Sequence, residues 1–332
     1  EIYLFLFRTH VKLGNRHKLS VGTEYIVDVL KSQTDNIAKE DAYTLALFAQ
    51  DEIKLLRNLQ ALIGVRYIYH ENFKNHATPN VALMYKPGKF NFRASYAAGF
   101  RTPTLSELYA TDIAKKNDRL TIGNLDLKPE KNDYFSLSAE YVHERFSVSV
   151  NAFYNNIRDM IDYNTIATGD KAMEQYGHKE VRQRDNIAEA KVHGINVSAN
   201  AYLGAGFNLS GGYTHLNTQD VELEQPIDKS IKNAYNINAQ WAHSWKIYRL
   251  NINLNGRINS KRFSKSYGYA PEYQLWDLNT RHSFNLKSVI IEPGCGMENL
   301  FDYMDDRPYN SNYATLTPGR SFYISLSLKF KS

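Results

Sequence analysis

Long segments with strictly alternating apolar and polar side chains constrain the fold of this chain most. Segment 146–154 reads FSVSVNAFY, and segments 89–100, 248–258 and 321–330 repeat the pattern. Successive side chains of a strand point to opposite faces, so the alternation predicts strands with one apolar and one polar face. We count about 15 such segments, most of about ten residues or more, the length of a tilted membrane-crossing strand. Strands of soluble proteins usually run about five or six residues.

Composition supports strands over membrane-spanning helices. The 332 residues are 43% hydrophobic, with 24 Tyr and 16 Phe, yet the mean hydropathy is −0.50. Apolar residues are therefore interleaved with polar ones, and no stretch approaches the roughly 20 consecutive apolar residues of a membrane helix. Cys295 is the single cysteine, which excludes an internal disulfide and a CxxC site. The net charge is +5, but the 40 Lys and Arg residues are spread along the chain and matched by 35 acidic residues, so no nucleic-acid partner is predicted.

The connections between the predicted strands alternate between short and long. Short turns are expected near 13–16, 55–57, 87–88, 144–145, 204–206, 243–245 and 285–287, and long loops near 32–40, 71–78, 101–131, 160–186, 217–233, 260–272 and 302–318. Bacterial barrels have short periplasmic turns and long external loops, so the alternation predicts a transmembrane antiparallel β-barrel. With the long loops outside, the first and last strands both descend. Since a single-chain barrel has an even number of strands, we expect an odd number before Glu1.

Three passages resemble the TonB-dependent outer-membrane receptors. ALFAQDEIKL at 46–55 is similar to a strand with an aromatic-Ala-Gln-Asp-Glu run in that family. GFRTPTLSELY at 99–109, with GNLDLKPEKN at 123–132, looks like the paired boxes that flank an external loop in haem receptors, with relatives in cobalamin and siderophore receptors. GMENLFDYMDDRPY at 296–309 and PGRSFYISLSLKF at 318–330 are similar to the family's last loop and strand.

The resemblance implies a barrel of about 22 strands filled by an N-terminal plug, so residues 1–332 would be its C-terminal portion, without the plug and first strands. It implies an active-transport receptor in the outer membrane of a Gram-negative bacterium. Such a receptor binds a scarce nutrient, such as haem or a ferric siderophore, in its extracellular loops and imports it with energy from TonB. The implied partners are the TonB–ExbB–ExbD complex through the missing N-terminal part, outer-membrane lipid, an iron or corrinoid ligand and, in some branches, a surface lipoprotein.

Ligand binding is expected in the long loops; no catalytic residue, cofactor or resident metal site is predicted. Arg101 and Pro103 begin the longest loop, although they could serve only to shape a strand end, where Pro is readily accommodated. Haem would need an axial His or Tyr, and Tyr109 is the only such residue from 104 to 123. The aromatic and metal-ligating candidates are Tyr109, Tyr163, Tyr176, His178, His70 and His76. Trp241, Trp245 and Trp276 are expected in interfacial girdles.

Three other functions compete with an iron receptor. A cobalamin receptor would have the same fold. An outer-membrane enzyme barrel would need a clustered nucleophile, base and acid, which no spacing marks here. A passive porin would have a smaller barrel and no plug, so the sequence upstream would distinguish it.

Overall fold

The computed structural model describes residues 1–32, 37–115, 117–187, 189–264, 268–305 and 317–331, without the side chain of Ala38. The elements are β1 (Ile2–Leu13), β2 (His17–Ser32), β3 (Ile37–Leu56), β4 (Leu59–His70), β5 (Lys74–Tyr85), β6 (Phe90–Arg101), α1 (Leu105–Tyr109), β7 (Thr111–Ala114), β8 (Arg119–Ile122), β9 (Glu130–Val142), β10 (Phe146–Arg158), β11 (Ile161–Thr168), α2 (Gly169–Tyr176), β12 (Glu180–Asn186), β13 (Ala190–Gly204), β14 (Phe207–Asp220), β15 (Asn233–Trp245), β16 (Tyr248–Asn259), β17 (Arg262–Ser264), β18 (Gly268–Ala270), β19 (Tyr273–Asn285), β20 (Val289–Glu298) and β21 (Ser321–Phe330).

One large sheet of 15 strands contains most of the chain, which confirms the all-β prediction. Its order is β1-β2-β3-β4-β5-β6-β9-β10-β13-β14-β15-β16-β19-β20-β21, and every neighbouring pair is antiparallel. The strands omitted from this order belong to two small sheets in the connections. Neither described helix has the length and apolar character that a membrane-spanning helix needs.

The two faces of the large sheet differ in polarity, as the alternation predicts. On the apolar face, Val150 lies opposite Ala139 and Val197, and 40% of Val150 is exposed. On the polar face, the hydroxyls of Ser149 and Ser198 lie 2.7 Å apart. A membrane barrel of the porin type directs its polar face inward and its apolar face to lipid.

Aromatic side chains line both rims of the apolar face. At the long-loop end, Phe5, Tyr25, Tyr43 and Tyr69 form a ladder across four strands, with ring centroids 6.0–6.4 Å apart. The short-turn end carries Trp241, Trp245, Tyr248 and Phe284, whose rings contact one another. Trp276 lies toward the long-loop end, where its ring covers Gly256 and meets Phe301 edge-on. All three tryptophans therefore occupy positions suited to an interfacial girdle.

The predicted short turns are confirmed in place to within three residues, but two connections differ from expectation. β4 and β5 are joined by only residues 71–73, so the predicted loop 71–78 is wrong and His76 lies within β5. That segment, HENFKNHATP, is polar on both faces, and the alternation that signals a strand is absent. The turn predicted at 243–245 lies at 246–247, because Trp245 still pairs with Tyr248. Residues 306–316 of the predicted last loop lie outside the described residues.

Candidate functional site

The two connections expected to be the longest loops fold together into a module with its own sheet. Residues 102–129 contribute α1, β7 and β8, and residues 159–189 contribute β11, α2 and β12. The order of the small sheet is β11-β12-β8-β7, and its central β12–β8 pair is parallel. We call this unit the loop module. It lies at the long-loop end of the large sheet, where ligand binding is expected.

Arg101, at the end of β6, connects the loop module to the large sheet through two carboxylates. Its Nε and Nη2 donate to the two oxygens of Glu130 at 2.7 and 2.6 Å. Its Nη1 and Nη2 also donate to Glu107 of α1 at 2.9 and 3.3 Å. The paired geometry uses the planar guanidinium fork, which lysine lacks. All three nitrogens are engaged within the protein.

Glu107 also completes the N-terminal cap of α1. The Thr104 hydroxyl accepts from the Glu107 backbone N–H at 3.2 Å, and the Glu107 carboxylate accepts from the Thr104 backbone N–H at 2.8 Å. This reciprocal capping box satisfies two donors at the helix start. Burial of the Glu107 carboxyl opposes its charge, but the hydrogen bonds from Arg101 and Thr104 outweigh burial and hold the pKa of Glu107 below its ordinary value. Pro103 is buried directly before the cap.

A hydrophobic cluster fixes α1 beneath the rest of the loop module. Leu108, Leu127 and Ile161 are buried together, and the partly buried Phe73 and Tyr109 pack against them. The backbone N–H of Ile161 donates to Glu130 at 2.8 Å. The same carboxylate therefore receives Arg101 from β6 and the first residue of β11. Tyr109 serves as a packing residue in this arrangement.

His70 and His76 surround Phe73 at the β4–β5 turn. His70 is 4% exposed, its ring lies 5.0 Å from that of Phe73, and its Nδ1 accepts from the Asn72 backbone N–H at 3.1 Å. His76 donates from Nε2 to the Phe73 carbonyl at 2.8 Å and stacks on Phe100 with ring centroids 3.8 Å apart. Through Phe73, the structure brings His70, His76 and Tyr109 into one neighbourhood. Both imidazoles are held in packing contacts.

One face of the small sheet is apolar and covered by α2. Ala167, Ala172 and Val181 are buried there, with Leu120, Ile122 and Tyr176 packed around them. The helix ends at Gly177, whose φ of 72° is left-handed and whose N–H donates to the Met173 carbonyl at 2.9 Å. A glycine adopts this capping conformation at the lowest cost. Tyr176, a predicted ligand contact, is thus part of the module's core.

The opposite face carries three arginines, which we call the arginine face. Alternation along β12 places Arg182 and Arg184 on the side away from Val181, and the β12–β8 register sets Arg119 beside Glu180. The arginine face comprises Arg119, Glu180, Arg182, Arg184, Tyr163 and Asp112, which the β7–β8 register sets opposite Thr121 on the same side. Glu180 pairs with Arg182 and, at 3.9 Å, with Arg119.

Arg184 and Tyr163 form a stacked pair at the β11 edge of this face. The two residues are directly opposite in the β11–β12 register. The guanidinium carbon lies 3.7 Å from the centre of the Tyr163 ring, and Nη2 donates to the Tyr163 hydroxyl at 2.6 Å. Cation–π stacking of this kind leaves the outer surface of a planar guanidinium available for further hydrogen bonds. Tyr163 is one of the predicted ligand-binding residues, and it is 39% exposed.

His178 lies at the far end of the module. Its Nδ1 donates to the Asp118 carboxylate at 2.9 Å, and that hydrogen bond is the main cause of a pKa of Asp118 below its ordinary value. The His178–Asp118 hydrogen bond connects the turn before β8 to the residues that follow α2. No group of three or more His, Cys, Asp or Glu side chains that could hold a metal ion occurs among the described residues.

Sequence reasoning missed the carboxylates and the arginines of this region. The EVRQRDN segment at 180–186 has Val181 as its one apolar residue, so it lacks the apolar–polar alternation that signals a strand. The pairing of Arg101 with Glu107 and Glu130 depends on the β6–β9 register, which the sequence does not display. Six of the eight predicted candidates form two groups: His70, His76 and Tyr109 lie around Phe73, and Tyr163, Tyr176 and His178 lie in or beside the small sheet.

The fold can be compared with known proteins. Residues 3–300 match the family described as TonB dependent receptor-like, beta-barrel. The chain belongs to this family. The match covers most of the large sheet and the whole loop module, and it confirms the resemblance seen in the boxes at 99–109 and 123–132.

Solved structures of two siderophore receptors and of a copper transporter share this fold. A variant of the ferric enterobactin receptor PfeA from Pseudomonas aeruginosa has a TM-score of 0.81 at 19% identity, covering 99% of this chain and 54% of that chain. The siderophore receptor PirA from Pseudomonas aeruginosa has a TM-score of 0.77 at 18% identity, covering 100% and 57%. The copper transporter OprC has a TM-score of 0.74 at 12% identity, covering 98% and 56%. The chain thus spans little more than half the length of the structures it matches.

Proposed function

We propose that this chain forms the wall and external loops of an active-transport receptor in the outer membrane of a Gram-negative bacterium. The receptor binds an iron complex at the arginine face and imports it with energy that TonB, with ExbB and ExbD, supplies. Lipid of the outer membrane covers the apolar face of the large sheet. Family membership supports the transport role, and the arginine face supports the choice of ligand.

The chemistry of the arginine face favours an anionic iron chelate with aromatic or carboxylate groups. Three guanidinium groups outnumber the two carboxylates, Glu180 and Asp112, and leave a net positive surface that attracts anions. Guanidinium forks donate to paired oxygen acceptors, and the Tyr163 ring offers a stacking surface. A ferric siderophore whose oxygen donors carry negative charge satisfies both features. The PfeA and PirA structures, which share the fold, are receptors for ferric enterobactin and for a siderophore.

Haem is less well supported than a ferric siderophore. An axial ligand must present a free imidazole or phenol to the iron. His70 is 4% exposed, His76 is stacked on Phe100, and Tyr109 packs in the hydrophobic cluster. We therefore assign Arg101, Pro103 and Tyr109 a positioning role for the loop module, and we propose no catalytic residue. No particular feature of the described residues favours cobalamin.

Binding to the purified receptor in detergent tests this proposal. The wild-type receptor is titrated with a ferric siderophore panel, haemin and cobalamin, and the Arg182→Gln/Arg184→Gln variant is titrated with whichever ligand binds. We expect a ferric siderophore to bind and the double variant to weaken binding at least tenfold, a change of about 1.4 kcal/mol. Lys171→Gln is the matched control, because it removes a cation from α2 on the other side of the small sheet. Binding of haemin or cobalamin alone, or an unchanged affinity in the double variant, would contradict the assignment.

A further inference from the structure

The loop module is attached to the large sheet by four crossings of the chain. Two crossings follow Arg101 and Arg158, the last residues of β6 and β10, and two precede Glu130 and Ala190, the first residues of β9 and β13. The small sheet and the large sheet are separate sheets. Contacts at the crossings therefore decide how the arginine face is held relative to the barrel wall.

One side chain, that of Asn186 at the end of β12, connects three of the four crossings. Its Oδ1 accepts from the Lys128 backbone N–H at 2.6 Å, and its Nδ2 donates to the Lys128 carbonyl at 2.9 Å. Nδ2 also donates to the Asp159 carbonyl at 2.7 Å. Lys128 lies just before β9, Asp159 directly follows β10, and Asn186 itself leads into the crossing before β13. The amide thus uses its oxygen and both of its donors within the protein.

Asn124 holds β12 by a second route, at the backbone of Arg184. Its Nδ2 donates to the Arg184 carbonyl at 2.9 Å, and its Oδ1 accepts from the Asp126 backbone N–H at 2.9 Å. Its own backbone N–H donates to the Glu107 carbonyl at 3.0 Å. Because the Glu107 carboxylate accepts from Arg101, this route runs from the end of β6 through α1 to the strand that carries the arginines.

Both asparagines act where the arginine face meets the barrel wall. By alternation, Asn186 follows Arg182 and Arg184 on the same side of β12, about 7 Å along the strand from Arg184. A guanidinium fork binds paired oxygens well only when both of its N–H groups are aligned with them. The affinity of the arginine face for a ligand therefore depends on where β12 is held.

We propose that Asn124 and Asn186 are positioning residues that set the arginine face relative to the barrel wall and thereby raise its affinity for the ligand. This inference rests on the function proposed above for the arginine face. The side-chain amides of both residues are engaged in hydrogen bonds within the protein. They act through Arg182 and Arg184 and not by contact with the ligand.

A double-mutant cycle on the purified full-length receptor tests this role. The wild-type receptor is titrated with ferric siderophores that carry catecholate, hydroxamate or carboxylate donors, and every variant is titrated with the one that wild type binds most tightly. We expect Asn186→Ala and Asn124→Ala each to weaken binding by about fivefold or more, since each removes at least two hydrogen bonds at β12. In the Arg182→Gln/Arg184→Gln background, the same substitutions should weaken binding by less than about twofold, because the groups they position are gone.

Asn117→Ala is the matched control for the two asparagine variants. Asn117 is exposed in the turn between β7 and β8. The β12–β8 register places that turn beside Glu180, at the end of the small sheet away from Asn186. This substitution should leave binding unchanged. If Asn186→Ala fails to fold, Asn124→Ala carries the test, because it leaves the three hydrogen bonds of Asn186 in place.

The possible failures of this experiment are distinguishable. If no ferric siderophore binds, or if Arg182→Gln/Arg184→Gln keeps the wild-type affinity, the function proposed for the arginine face fails and the positioning role fails with it. If the arginine variant binds weakly but Asn186→Ala and Asn124→Ala bind like wild type, only the positioning role is wrong. Losses that add fully in the arginine background would show an effect on general stability, and they would also overturn the positioning role.

Discussion

The Arg101 guanidinium and the Glu130 carboxylate form a two-point ion pair, with nitrogen–oxygen distances of 2.7 and 2.6 Å, at the boundary between β6 and β9. Because Glu130 also accepts from the Ile161 N–H, this pair joins the large sheet to both connections of the loop module. Arg101, which the sequence predicted as a ligand contact, thus acts first as a structural anchor.

Replacing Arg101 should loosen the loop module without unfolding the large sheet. In Arg101→Gln, two carboxylates that are 13% and 18% exposed lose their charged donor. Hydrogen bonds to charged groups contribute about 1.5–3 kcal/mol each, so amide exchange across 102–129 should accelerate at least tenfold. Arg101→Lys should recover only part of the protection, since lysine lacks the fork. Unchanged exchange in Arg101→Gln would contradict the anchoring role.

Acid should release α1 in a defined pH range. The pKa of Glu107 is lowered in the folded protein, so its contribution to stability is complete above the ordinary carboxyl pKa near 4.5 and is lost as pH falls through the lower folded value. We expect amide exchange in α1, corrected for the intrinsic rate, to remain slow at pH 5 and to increase below about pH 4. Glu107→Gln should show faster exchange at pH 5 and little further change. A pH response that persists in Glu107→Gln would assign the effect to another group.

Gly256 leaves no space for a side chain beneath Trp276. A Cβ built at Gly256 would lie 2.5 Å from Cζ3 of the tryptophan ring. Gly256→Ala should therefore displace Trp276, lower the free energy of unfolding by about 1–3 kcal/mol and shift the tryptophan emission. Gly211→Ala is the comparison, because its Cβ would meet only the Asn236 carbonyl at 3.3 Å. Equal unfolding midpoints in urea for the two variants would contradict this packing account.

Ligand binding at the stacked pair of the arginine face should depend more on the Tyr163 ring than on the Tyr163 hydroxyl. Tyr163→Phe keeps the surface over which the Arg184 guanidinium lies at 3.7 Å and removes one acceptor. We expect ferric siderophore affinity to fall less than threefold in Tyr163→Phe and at least tenfold in Tyr163→Ala. A competition titration with the ferric siderophore that the wild-type receptor binds measures the affinity of both variants. An equal loss in the two variants would show that the hydroxyl itself is the contact.

The fold was predictable from the sequence to a greater extent than the site. Alternation in 146–154 and 321–330 identified β10 and β21, because a sheet with one apolar and one polar face must repeat every two residues. The site depends on register and on contacts between distant segments. Nothing local to Arg101 indicates that Glu130 lies opposite it, and nothing in the HENFKNHATP segment reveals that His76 stacks on Phe100.

We propose that the large sheet spans the outer membrane with the loop module outside and the short turns in the periplasm. Cysteine labelling in intact cells tests it directly, in a Cys295→Ser background that removes the one thiol of residues 1–332. Lys171→Cys lies on α2 of the loop module, and Lys287→Cys lies in the exposed β19–β20 turn. A membrane-impermeant maleimide should label the cysteine at 171 in intact cells and the cysteine at 287 only after the cells are permeabilised. Labelling at 287 but not at 171 in intact cells would reverse the orientation, and labelling at both would contradict a membrane-spanning sheet.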